Sequence, residues 1–131
     1  MLVRALTSGG GSANCVVGTI PSTKVVAGGT ITIPINFTPK YICFTKNTNS
    51  TVSNQRGLYW VENGTNYIQE YGDGSAGLYS IAIGTAGNSV PAIMSKSNTE
   101  VVLKFPNNSA DAPGEWFYMI SDAVGDGYTV S

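Results

Sequence analysis

Along most of this chain, apolar and polar residues alternate in short runs separated by glycine, proline, asparagine and aspartate. Period-two alternation marks strands, because successive side chains of an extended chain point to opposite faces. Ile31, Ile33 and Ile35 alternate with Thr32 and Pro34, which predicts a half-buried strand over Thr30–Asn36. Pro34 lacks the N–H that a ladder needs, so this strand is expected at a sheet edge or a bulge. Pro39 fixes its own φ and drives Thr38 extended, making Phe37-Thr38-Pro39-Lys40 a corner without a helix. A more continuously apolar strand then follows at Tyr41–Thr45.

The same reading predicts strands at Asn14–Ile20, Leu58–Glu62, Thr65–Tyr71, Gly77–Ile83, Val90–Ser95, Thr99–Phe105 and Glu115–Ser121, with a short last one at Tyr128–Val130. Turns fall at Gly28-Gly29, Asn63-Gly64, Asp73-Gly74, Pro113-Gly114 and Asp126-Gly127. Asn and Gly tolerate the positive φ of a two-residue type I′ turn. A hairpin closed on Asn63-Gly64 places Trp60 opposite Tyr67 and Tyr59 opposite Ile68. The polar stretch Thr45–Arg56 reads as an exposed loop. No window carries the 3.6-residue apolar period of a helix. Many short strands with regular turn punctuation predict an all-β fold, an antiparallel β-sandwich or jelly-roll-like barrel.

Residues 13–131 then form one domain, and residues 1–12 an N-terminal arm with a Gly-rich connector, Ser8-Gly9-Gly10-Gly11-Ser12. The opening Met1–Leu6 is apolar. It reads as an assembly arm that packs on a neighbouring subunit, with Met1, Leu2, Val3 and Leu6 as its contacts. It is too short for the apolar core of a signal peptide, and no apolar run reaches membrane-spanning length.

Composition narrows the function. At 131 residues the chain buries a core without needing metal or disulfide support. Only 11% of residues are charged and the net charge is −1, with the lysines scattered singly. Nucleic-acid binding needs clustered Lys and Arg, so nucleic acid is not an expected partner. No histidine is present, which removes the usual general base, the commonest zinc ligand and every Ser-His or Cys-His pair. No metal site and no cofactor are expected; Asp73-Gly74 and Asp122 to Asp126 lack calcium-loop spacing and read as turns. The chain is therefore expected not to be an enzyme. Cys15 and Cys43 each sit in an apolar run and read as buried thiols ahead of a disulfide.

Tyr59, Trp60, Tyr67, Tyr71 and Tyr79 cluster in sequence, with Trp116, Phe117 and Tyr118 near the end. Planar rings flanked by amides suit sugar rings, so Trp60, Tyr67 and Tyr71 are candidate glycan-binding residues. Strand aromatics are more often core, and burial of these three rings separates the two readings. The Ser-, Thr- and Asn-rich, charge-poor surface also suits a protein that assembles through neutral hydrogen bonds and strand edges.

Two stretches carry a family resemblance. Gly28-Gly29-Thr30-Ile31-Thr32-Ile33-Pro34-Ile35-Asn36-Phe37-Thr38-Pro39-Lys40-Tyr41-Ile42 runs through a Phe-x-Pro-Lys corner into an apolar strand. Asn107-Asn108-Ser109 leads to Gly114-Glu115-Trp116-Phe117-Tyr118-Met119-Ile120. Together they resemble small β domains of bacteriophage tail and appendage proteins, and the Met1–Leu6 start before a glycine run is similar to small stand-alone virion proteins. The resemblance implies a β-sandwich in a virion structural protein, often trimeric, made in the bacterial host cytoplasm. Its partners would be other virion proteins and copies of itself, with host-surface carbohydrate or protein as a further contact. Such a protein belongs to a tail fibre, baseplate appendage or head fibre. A capsid decoration protein and a free carbohydrate-binding module are the alternatives.

Overall fold

The computed structural model describes residues 14–47, 55–62, 65–72, 75–79, 82–123 and 130. The Met1–Leu6 arm and its connector, most of the polar loop, and the turn residues at 63–64, 73–74 and 126–127 lie outside the described residues. So does most of the short last strand.

Nine strands are described: β1 (Cys15–Ile20), β2 (Thr30–Pro34), β3 (Tyr41–Asn47), β4 (Gln55–Val61), β5 (Thr65–Gly72), β6 (Ser75–Tyr79), β7 (Ala92–Lys96), β8 (Glu100–Lys104) and β9 (Glu115–Ser121). The remaining regular piece is one 3-10 turn at Ser22–Lys24. The strands form two antiparallel sheets, ordered β1-β9-β3-β4-β5-β6 and β2-β8-β7. The all-β, two-sheet arrangement expected from the alternation is present, divided six strands to three. β2 is an edge strand, as Pro34 requires, paired through Pro34↔Glu100 and its neighbours to β8 alone among the described strands.

Alternation builds the core. Ile42 and Phe44 of β3, Leu58 and Trp60 of β4, and Trp116 and Ile120 of β9 supply the inner face of the large sheet. Ile33, Ile93, Val101 and Leu103 oppose them from the small sheet, in one continuous cluster with Phe105. Phe44, Phe105 and Trp116 stack at its centre, with ring centroids 4.7 to 5.7 Å apart. The Phe37–Lys40 corner carries the chain from the small sheet to the large one. Phe37 and Pro39 are buried there, and the Lys40 N–H donates to the Ser121 carbonyl at 2.8 Å.

One register differs from the sequence expectation. β4 and β5 pair Val61↔Thr65, Trp60↔Asn66, Tyr59↔Tyr67 and Leu58↔Ile68. Three residues therefore separate the paired positions, not two. Glu62 joins the loop on the β5 side while continuing the β3 side: its N–H donates to the Lys40 carbonyl at 2.9 Å, and its carboxylate pairs with the Lys40 ammonium at 3.4 Å. The observed register also sets Ile68 opposite Leu58, whose side chain is in the core, and buried apolar pattern is what fixes register.

Candidate assembly face

The large sheet has a second face, turned away from the core. Strand parity assigns to it Val17 and Thr19 of β1, Phe117 and Met119 of β9, Tyr41, Cys43 and Thr45 of β3, and Tyr59 and Val61 of β4. The cross-strand pairs Val17↔Met119, Thr19↔Phe117 and Cys43↔Met119 make these residues neighbours. None is charged. Val17 is 54% exposed and Phe117 37%. Tyr41, Cys43, Tyr59, Val61 and Met119 are half-buried. Water therefore meets a largely apolar surface with one carboxylate at its end, and such a surface marks an interaction site when it is contiguous. The exposed Lys40–Glu62 pair lies at one end, where β3 and β4 begin and finish.

Three groups on this face, Tyr41, Cys43 and Cys15, hold their protons more tightly than usual. Burial, followed by the adjacent Cys43 thiol, pushes the Tyr41 phenol up to about 12. Burial also raises the Cys43 thiol, against a lowering hydrogen bond from Tyr41, and burial raises Cys15. At neutral pH the face carries phenol and thiols in their uncharged forms. Both cysteines are free. They sit on β1 and β3 with β9 between them, about 10 Å apart laterally, beyond the roughly 7 Å Cα limit for a disulfide.

The three candidate glycan residues separate. Tyr67 stands opposite Tyr59, and Tyr71 two pairs further along, so both occupy outer-face positions of β5. Their side chains lie outside the described part. Trp60 is on the other face, 5% exposed, with the Lys96 ammonium 4.4 Å from its ring centre. The one-residue change of register is what parts Trp60 from Tyr67. A buried indole covered by a cation offers no platform to a sugar. The arm residues Met1, Leu2, Val3 and Leu6 lie outside the described residues.

A second cluster went unnoticed in the sequence, where Lys46 is one of several scattered lysines. Lys46 is 7% exposed and its ammonium donates to the Asp111 carbonyl at 2.9 Å; Asp111 is itself 4% exposed. The lysine stem lies against Gly114, whose φ of +137° and lack of a side chain admit it. The Trp116 indole N–H donates to the Ala112 carbonyl at 2.9 Å. Together these bonds tie the segment between β8 and β9 over the end of the core. The lysine stem packs while its charged head bonds, a structural use of the residue.

Comparison with protein-family models, with curated proteins and with solved structures finds no match to this chain.

Proposed function

We propose that this chain is a non-enzymatic structural protein of a bacteriophage virion surface, part of a tail fibre, baseplate appendage or head fibre. It self-associates, as a trimer, and holds its loops towards host-surface glycan or protein. The observation that supports this reading is the largely apolar outer face that β1, β9, β3 and β4 present. The four strands whose outer-face side chains are described, β1, β9, β3 and β4, give roughly 440 Å² at about 4.8 Å spacing and about seven residues of 3.3 Å rise. A standard protein interface takes about 800 Å² from each partner, so the described part of this face supplies about half of it. Uncharged residues fit an interface core, from which charge is depleted. The resemblance of the Phe37–Lys40 corner and the Gly114–Ile120 strand supports the virion assignment.

Light scattering on the full chain tests the reading. A trimer or larger species is expected, and Val17→Lys with Phe117→Lys should yield monomers with an unchanged circular dichroism spectrum. Each substitution removes roughly 1.5–3 kcal/mol of apolar burial per copy from the interface and places a charge there. A wild-type chain that stays monomeric at high concentration refutes the reading and directs attention to a free carbohydrate-binding module.

A further inference from the structure

The ladder between β7 and β8 is broken at one point. Ala92 pairs with Lys104 and Ile93 with Leu103, but the next pairs are Ser95↔Val102 and Lys96↔Val101. Met94 is therefore an extra residue on β7, a bulge of two residues against one. Ile93, Val101 and Leu103 are core residues, so the inner face is fixed on both sides of the bulge. A straight ladder would set Ser95 against Val101 on that inner face, and Lys96 opposite Glu100 on the outer one. The extra residue reverses this. Ser95 is exposed, and Lys96 turns inwards, half-buried, with its ammonium 4.4 Å from the centre of the buried Trp60 ring. A cross-strand pair of opposite charges, Lys96 with Glu100, is given up to place it there.

A second feature meets β7 at the same point. The turn Ala82–Thr85 is closed by the Thr85 N–H on the Ala82 carbonyl at 3.1 Å, and its Gly84 N–H donates to the Ile93 carbonyl at 2.8 Å. Gly84 has φ +91°, which glycine adopts without the strain a side chain would bring. Antiparallel pairing needs backbone donors and acceptors in a regular row. The bulge interrupts that row and the turn occupies one of its carbonyls. Among the described strands β7 is the last of the small sheet. A strand laid beside it would cover Lys96 and take its ammonium out of water with an aromatic face as partner. Burying a charge without a counter-charge is costly, and inward-pointing charges and bulges are means by which sheets discourage pairing with other chains.

We propose that Lys96, turned inwards by the Met94 bulge, bars association through β7 and so confines self-assembly to the large sheet. The inference rests on the self-assembly reading above and names the residue that restricts it. The Trp60 ring attracts the ammonium and holds the charge at the rim of the core, where an incoming strand would meet it.

Sedimentation velocity on the full chain over a range of concentrations tests the proposal. Lys96→Met and Lys96→Gln keep a long side chain beside Trp60 and remove the charge. Either should associate further at about one tenth of the wild-type concentration or less. Because the large-sheet contact is retained, the added β7 contact should join assemblies into open-ended chains. Lys24→Met makes the same change at an exposed lysine of the 3-10 turn and should sediment as the wild type does. An equal gain in Lys24→Met overturns the proposal, since apolarity alone would then suffice. A folded Lys96→Met, checked by circular dichroism, that sediments as the wild type at every concentration also overturns it. Should Lys96→Met lose its fold, Lys96→Gln decides in its place. A monomeric wild-type chain overturns the assembly reading instead; association gained by the Lys96 variants would still support the barrier at β7, and none gained would overturn that too.

Discussion

Replacing Trp116 by phenylalanine isolates one hydrogen bond at the centre of the core. Trp116 is fully buried, lies 4.7 Å from Phe44 and 5.7 Å from Phe105 between ring centroids, and donates to the Ala112 carbonyl. Phenylalanine keeps an aromatic ring between those neighbours but leaves the carbonyl of the buried Ala112 without this donor. An unsatisfied buried acceptor costs about 1–3 kcal/mol. The lost part of the indole adds a cavity of roughly 40 Å³, about 1 kcal/mol at ~24 cal/mol per Å³. The sum is about 2–4 kcal/mol, against a total stability of roughly 7–20 kcal/mol for a domain of this length. Urea denaturation followed by circular dichroism reads it directly. With m of about 2–3 kcal/mol/M, the midpoint should fall by roughly 1–2 M at unchanged m. A loss under about 0.5 kcal/mol would show that the indole bond does not hold the β8–β9 segment, and the reasoning would fail.

Three more outcomes follow from the same structure. Lys46→Met keeps an apolar stem against Gly114 but removes the charge-assisted bond to the Asp111 carbonyl, and should cost about 1.5–3 kcal/mol in the same denaturation assay. Gly114→Ala should destabilise by about 1–3 kcal/mol, because φ is +137° and the new Cβ would meet Lys46 Cε at 2.9 Å; thermal melting checks it. The Tyr41 phenol titrates near 10 when unfolded and about 12 in the fold. Folding therefore holds its proton, so its contribution is complete below pH 10 and is lost as the pH rises to 12. The difference in stability between the wild type and Tyr41→Phe should narrow across that window, and a difference independent of pH would contradict the burial of the phenol.

Much of the fold was legible because strands announce themselves by parity. The Ile31-Ile33-Ile35 alternation, the Pro34 edge and the Pro39 corner needed only local physics, and each stands where the residues place it. The β4–β5 register did not, because a turn dipeptide specifies a loop length only when nothing outside the hairpin competes. Here the core competes: Leu58 is buried, and the observed register sets the apolar Ile68 opposite it. That single step moved Trp60 away from Tyr67 and divided the candidate glycan cluster between two faces. The outer face had a signal that parity could have found: Phe117 and Met119 alternate with the buried Trp116 and Ile120, and so must face outwards. The Lys46 site had none, since its partner carbonyl lies 65 residues away.

The sequence by itself determined the all-β class, the strand segments, the edge position of β2 and a neutral, charge-poor surface. These follow from steric and solvation preferences acting over a few residues. Only the tertiary structure decided the division of nine strands into sheets of six and three, the faces on which the aromatics fall, and the burial of Lys46. Those depend on which distant strands meet. That choice is made by the whole core at once, through the closest packing of Phe44, Phe105 and Trp116.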